Sequence, residues 1–249
     1  MLDSLRRLFV RATSVASHQA VLDSAIGLKM INHVEGDYLE FGVFRPDRTD
    51  RCLLPVRLRE NLYSDIEDTA TFITSRIRTG GDPYLAKAST KPLEEMRFFG
   101  FDSFEGLPEA KAIDVVEGQE EWIGKGGFAA SLEEVTRLMP KKGIESGRIK
   151  LVKGWFNETL TPKTKQDLGI KAAAIVYVDC DFYESAVPCL EFITDLLVDG
   201  SVIIFDDWWI FKGRPDKGEQ RAFREWQEKH GIKCQEFFGG TAKSFMIYR

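Results

Sequence analysis

Apolar residues in this chain fall into short, dense runs separated by longer stretches of mixed polarity. Five runs read DYLEF (37–41), RFFGF (97–101), RIKLV (148–152), AAIVYV (173–178) and SVIIF (201–205). They do not alternate strictly between apolar and polar, which is the pattern of strands covered on both faces in a parallel sheet. Helical periodicity fills the spaces between them. Residues 131–139 start with Ser131 and carry Glu134 three positions on, a capping-box signature, with Pro140 behind the run. Residues 184–198 set Leu190, Ile193, Leu196 and Leu197 on one face. Residues 217–230 set Ala222, Phe223 and Trp226 inward, with Gly231 as the stop. This alternation predicts a doubly wound α/β sheet. The tail breaks the rhythm: IKCQEFF (232–238) and SFMIYR (244–249), joined by GGTAK, predict a closing hairpin and bring the expected strands to seven.

The pattern shows no internal repeat and no low-complexity linker, so residues 1–249 are expected to form a single domain with an N-terminal helical segment over about 1–35. Two segments, about 45–95 and 109–130, are long for connections in a compact domain and read as lid-like insertions. Leu2, Leu5, Leu8 and Phe9 give the start a helical face that suits packing on its own domain or on a second copy of the chain.

Composition narrows the classes. Lys+Arg 34 against Asp+Glu 39 leaves a net charge of -5, which argues against a nucleic-acid partner bound by bulk electrostatics. No apolar run approaches the length of a membrane span, and the start has arginines but no long apolar core of a secretory signal. Cys52, Cys180, Cys189 and Cys234 are scattered without CxxC spacing. They read as free thiols in a reducing compartment, with the cytoplasm as the expected location. The only histidines are His18, His33 and His230, little material for a histidine-based triad or metal site.

In an open α/β sheet, ligands bind outside the carboxyl ends of the strands. The first strand ends in Glu40-Phe41-Gly42 and the second in Asp102-Ser103. The third runs into Gly154-Trp155-Phe156. The fourth delivers Asp179 and Asp181, and the fifth Asp206-Asp207 followed by Trp208-Trp209. Taken singly, these have ordinary readings. Asp102 or Asp206-Asp207 suit helix caps, and Trp155, Trp208 and Trp209 suit core or interface positions. The combination is less ordinary. Asp179, Asp206 and Asp207 follow two consecutive strands, and three converging carboxylates are severely destabilised without a cation. Oxygen-only ligation suits Mg²⁺.

The stretches GDYLEFGVFR, FFGFDSFEGLPE, KGWFNETL, YVDCDFYESAVPCLEFI and DGSVIIFDDWW, in that order, resemble the motifs of the macrocin O-methyltransferase family. The resemblance implies a class I methyltransferase fold, a mostly parallel seven-stranded sheet whose last strand inserts antiparallel. It implies S-adenosylmethionine as methyl donor, Mg²⁺, and transfer to a hydroxyl of a sugar or glycosylated natural product. It places Glu40, Phe41 and Gly42 beneath the methionine part of the cofactor. Asp102 falls on the ribose hydroxyls with Ser103 beside it, and Trp155 and Phe156 near the adenine. Asp179, Asp206 and Asp207 correspond to metal ligands, Asp179 also bordering the cofactor. Asp181 corresponds to the general base, one step further out and open to the acceptor.

The chain departs from the family pattern after Arg45, where Pro46-Asp47-Arg48-Thr49 replaces the usual Arg-Gly-Gly-Ser. The segment 45–68 is expected to cover the methionine end instead, with Arg45, Arg48 or Arg51 near the cofactor carboxylate. Two other readings stand beside the first. Asp179-Cys180-Asp181 is also a DxD motif that could hold Mn²⁺ and a nucleotide diphosphate in a glycosyltransferase. A non-catalytic methyltransferase-like scaffold altered at Pro46 is the other.

Overall fold

The computed structural model describes residues 21–22, 24–43, 95–117, 124–138, 146–239 and 242–249. The expectations for Leu2, Leu5, Leu8 and Phe9, for Cys52, for the segment 45–68 with its arginines, and for most of the 45–95 insertion lie outside the described residues.

Seven strands form one sheet: β1 (Asp37–Phe41), β2 (Phe98–Asp102), β3 (Ile149–Lys153), β4 (Ala173–Val178), β5 (Leu197–Phe205), β6 (Lys233–Gly239) and β7 (Lys243–Tyr248). Their order is β3-β2-β1-β4-β5-β7-β6. β1 to β5 pair in parallel, and β7 runs antiparallel to both β5 and β6. The α-helices among the described residues are α1 (24–31), α2 (Leu132–Leu138), α3 (Phe156–Thr159), α4 (Pro162–Leu168), α5 (Tyr183–Ile193) and α6 (Gly218–His230).

The dense apolar runs follow from burial on both faces. Tyr38, Phe98, Ile175, Tyr177, Val202 and Ile204 point to one core, shared with Ile26 and Met30 of α1 and Val135 of α2. Leu39, Phe41, Phe99, Phe101, Val176, Val178, Ile203 and Phe205 point to the other, beneath α5 and α6. Successive side chains of a strand take opposite faces, so a strand covered on both sides needs apolar residues at both parities. Phe41, Phe101 and Phe192 interlock at centroid separations of 5.2 to 6.1 Å, and Phe205, Trp208, Phe223 and Phe245 form a second aromatic cluster.

The helix ends show what local sequence controls. Ser131 Oγ accepts the Glu134 N–H at 3.1 Å, and Glu134 Oε2 accepts the Ser131 N–H, the two halves of the expected capping box. Gly231 ends α6 in the left-handed conformation. The helix expected over 184–198 stops earlier, at Ile193. The Leu196 carbonyl is taken by the Ala173 N–H at 2.8 Å, and Leu197 opens β5. Sheet pairing there overrides the helical spacing of Leu196 and Leu197. Helices α3 and α4 were not expected, because they carry no fully buried residue and so no apolar period.

Candidate active site

The chain order reverses at β1, whose neighbours are β2 on one side and β4 on the other. A crevice opens at such a switch point, and the register makes it level. Phe41 lies opposite both Phe101 and Val178, and Val178 opposite Phe205. The ladder continues one residue past the strand ends: Gly42 N–H to Phe101 O at 3.0 Å, Asp179 N–H to Phe41 O at 2.8 Å, and Asp206 N–H to Val178 O at 3.0 Å. Residues far apart in the chain are thus set in one rigid row.

An open cleft of about 700 Å³ lies over that row. Gly42, Asp102, Ser103, Trp155, Phe156, Asp179 and Asp181 all line it, with Leu107, Pro108 and Phe128 from the connection after β2 and Ser185 from α5. Gly42 has φ +94°, and a Cβ there would lie 1.8 Å from the Asp179 carbonyl oxygen, so only glycine allows β1 and β4 to meet at this point. Phe41 is fully buried, its ring stacked on Phe101 and edge-on to Phe156. Glu40 is buried too and accepts the Tyr38 hydroxyl at 2.9 Å. Neither is among the cleft-lining residues.

Asp102 holds the β1 side of the cleft. Oδ2 accepts the Val43 N–H at 2.8 Å and Oδ1 the Phe104 N–H at 2.5 Å. It caps no helix. Burial pushes its carboxyl up to about 6; the two backbone donors pull down against that, and Asp179 adds to the rise. A carboxylate has about four lone-pair sites, so two remain for hydroxyl donors.

On the β4 side, Asp179, Asp206 and Asp207 bring one oxygen each to within 4.8 Å of one another. Asp181 is outside that triad. Tyr177 Oη donates to Asp206 Oδ1 at 2.8 Å, and the Asp181 N–H donates to Asp207 Oδ2 at 3.1 Å. Burial, then the charges of Asp181, Asp179, Glu219 and Asp206, hold the Asp207 carboxyl well above the usual carboxylate range. The donor set fits a hard divalent cation: three clustered carboxylate oxygens and no sulfur or imidazole, with a half-buried Asp179 facing the cleft.

Asp181 is the less exposed member of the pair, at 7% against a half-buried Asp179. It was expected further out. Its φ is +56°, and the Phe182 N–H bonds back to the Cys180 carbonyl, a three-residue turn centred on Asp181. The turn folds the backbone inward, so that a Cβ on Gly218 would lie 2.9 Å from the Asp181 carbonyl. Such a conformation costs on the order of 1–3 kcal/mol and marks functional sites. Trp208 and Trp209 part company: Trp208 joins the aromatic core, and Trp209 is 51% exposed with Lys243 over its ring.

Sequence reasoning missed Glu219. It is 1% exposed in the first turn of α6, and accepts the Asp207 N–H at 3.1 Å and the Cys180 N–H at 3.5 Å. Burial, then Asp179, Asp206 and Asp181, push its carboxyl well up. A glutamate in a first helical turn reads as an ordinary partner of the helix dipole, and no local pattern distinguishes this one.

Sheet order, antiparallel β7 and a switch-point cleft with an acidic rim define a class I methyltransferase fold. The solved structure of the O-methyltransferase NovP superposes with a TM-score of 0.63 at 19% identity, covering 94% of this chain and 80% of that one. The calicheamicin methyltransferase CalS11 gives 0.60 at 21%, covering 93% and 79%. The family model for macrocin O-methyltransferase (TylF) matches residues 84–236, more than half of the chain. This protein belongs to that family. It is also similar to the 8-demethyl-8-(2,3-dimethoxy-alpha-L-rhamnosyl)-tetracenomycin-C 4'-O-methyltransferase of Streptomyces olivaceus, 27% identical over 195 residues, covering 77% of this chain and 68% of that protein.

Proposed function

We propose that this O-methyltransferase transfers a methyl group from S-adenosylmethionine to a sugar hydroxyl of a glycosylated small molecule, with Mg²⁺ at the acidic triad. The observation that carries the reading is a cleft lined by both Asp102 and Asp179, with Asp206 and Asp207 clustered on Asp179 behind its wall. A similar enzyme acts, by its name, on a rhamnosyl tetracenomycin, which supports a sugar acceptor.

Asp102 accepts the ribose hydroxyls of the cofactor, with Ser103 beside it. Trp155 and Phe156 flank the adenine. Gly42 lets the β1 tip approach the methionine part, and the backbone of Glu40 and Phe41 supports that tip from the core. Asp179, Asp206 and Asp207 would hold Mg²⁺, whose charge lowers the pKa of the acceptor hydroxyl. Asp181 takes the hydroxyl proton as the oxygen–methyl bond forms and the methyl–sulfur bond breaks, leaving a methyl ether and S-adenosylhomocysteine. Alignment by the rigid row of strand ends supplies much of the remaining acceleration. Phe128, from the connection after β2, lines the cleft and would flank the acceptor. Among the described residues no helix is long and apolar enough to cross a membrane.

Mass spectrometry of glycosylated acceptors incubated with S-adenosylmethionine tests the reading. A gain of one methyl group that stops in EDTA and resumes with Mg²⁺ is the expected result. Calorimetric binding of a nucleotide diphosphate sugar, and none of S-adenosylmethionine, would overturn it in favour of a glycosyltransferase. Binding of neither would leave a scaffold.

A further inference from the structure

One buried carboxylate next to this site takes no part in the chemistry above. Asp114 ends a single 3₁₀ turn, Ala112–Asp114, in the connection after β2, and is 1% exposed. Its Oδ2 accepts the Tyr183 N–H at 2.9 Å and its Oδ1 the Gly218 N–H at 3.0 Å. These are the first residues of α5 and α6. Neither helix is capped by its own N-cap side chain, Phe182 in one and Lys217 in the other. A single distant carboxylate therefore satisfies an open N–H donor at the start of both.

We propose that Asp114 is a positioning residue for the acidic cluster, fixing Asp181 through Tyr183 and Glu219 through Gly218. The inference rests on the reading of the cleft as a methyltransferase site. Asp181 lies two residues before Tyr183, in the left-handed turn, and Glu219 follows Gly218 directly. Glu219 in turn holds the N–H groups of Cys180 and Asp207, and the Asp181 N–H is held by Asp207. The ties close a ring: Asp114 to α5, the Asp181 turn to Asp207, Asp207 to Glu219, and α6 back to Asp114. Two separate serine caps would satisfy the same donors but leave the helices free to shift against each other. One shared carboxylate couples them.

The segment bearing Asp114 is itself fastened. Val116 packs on Phe182 and Phe211, Lys212 Nζ donates to the Glu117 carbonyl at 2.9 Å, and Lys217 Nζ to the Ala112 carbonyl at 3.4 Å. Asp114 therefore acts from a fixed base.

The test is Asp114→Asn, which keeps one acceptor and turns an NH₂ against the other helix. Loss of a group that orients ligands costs about 10–100-fold in metal affinity or activity. The expected result is a loss of that size in kcat and in calorimetric Mn²⁺ affinity, with S-adenosylhomocysteine affinity within about twofold of wild type, because Asp102 and Trp155 lie outside the ring. Ser201→Ala is the control. Ser201 is buried at the opposite end of the sheet, bonded to the Val198 N–H and the Ala173 carbonyl, and its loss destabilises without touching the ring. Unchanged kcat and Mn²⁺ affinity in D114N, or an equal fall of both in S201A, would overturn the proposal. Should D114N not fold, hydrogen exchange of the wild type decides: first-turn amides ordinarily exchange freely, and unprotected Tyr183 and Gly218 amides refute the tie. Absence of methyl transfer by the wild type would instead sink the reading of the site, and Mn²⁺ affinity would still judge Asp114.

Discussion

Replacing Gly42 by alanine probes the crevice with a single methyl group. At φ +94° an L-residue costs roughly 1–2 kcal/mol. The new Cβ would lie 1.8 Å from the Asp179 carbonyl oxygen, against the 3.4 Å at which ordinary contact begins, so the β4 tip must retreat by about 1.6 Å. It cannot do so freely, because the Asp179 N–H is bonded to the Phe41 carbonyl at 2.8 Å. Losing that bond adds about 0.5–1.5 kcal/mol. The sum is a destabilisation of roughly 1.5–3.5 kcal/mol, a fall in Tm of about 3–14 °C for a domain of this size. The catalytic effect should be larger than the thermal one. Asp179 belongs to the acidic triad, and a displacement of about 1 Å can cost on the order of 10² in rate. Circular dichroism melts and methyl-transfer kinetics at saturating Mg²⁺ check both numbers. Gly231→Ala is the companion variant: its φ is +61°, but nothing lies within 4 Å of the added Cβ, so it pays the conformational cost alone and keeps its turnover. Wild-type turnover in G42A, or a structure of it with the Asp179 carbonyl unmoved, would refute the argument.

Three further outcomes are expected. Asp102→Ala should weaken S-adenosylmethionine binding by about 1.5–3 kcal/mol for each lost charge-assisted bond, read by calorimetry. With the carboxyl raised to about 6, cofactor affinity should fall as pH drops through 6, and unchanged affinity at pH 5 would contradict the ribose assignment. The same rise sets the sign for folding. The folded state binds this proton more tightly than the unfolded chain, so its contribution to stability is full below about pH 3.8 and is lost as pH rises through 6; a pH series of chemical denaturation in wild type and D102A tests it. Activity should vanish in EDTA and return with Mg²⁺, and Asp207→Asn should raise the Mg²⁺ requirement while the melt stays cooperative; full activity in chelator would leave the triad without its role. Asp181→Asn should lower kcat by about 10²–10⁴ with Mn²⁺ and cofactor affinities nearly intact, whereas Asp179→Asn should lose metal binding first; the opposite pattern would mean the two roles are exchanged.

Much of the architecture was legible because it rests on local rules. Strands covered on both faces need apolar residues at both parities, so β1 and β4 fall where the dense runs lie, and β2 and β3 within one residue of them. The Ser131 capping box and the Gly231 stop depend on the nearest few residues alone. The rule that ligands bind beyond the carboxyl ends of the strands puts Asp102, Asp179, Asp206 and Asp207 on one rim from the sequence alone. What the sequence could not decide were matters of register and reach. Only the pairing of Phe41 with Phe101 and Val178 levels the strand tips, and only the packing separates buried Trp208 from exposed Trp209. Leu196 and Leu197 carry helical spacing, yet the β4 ladder takes the Leu196 carbonyl. Asp114 and Glu219 leave no local trace, one in an irregular polar loop and the other in an ordinary first turn. Their partners are N–H groups that the ends of strands and the starts of helices leave open, 69 and 104 residues away from Asp114, and 39 and 12 from Glu219. An open backbone donor is invisible in a sequence until the fold shows which carboxylate is brought beside it.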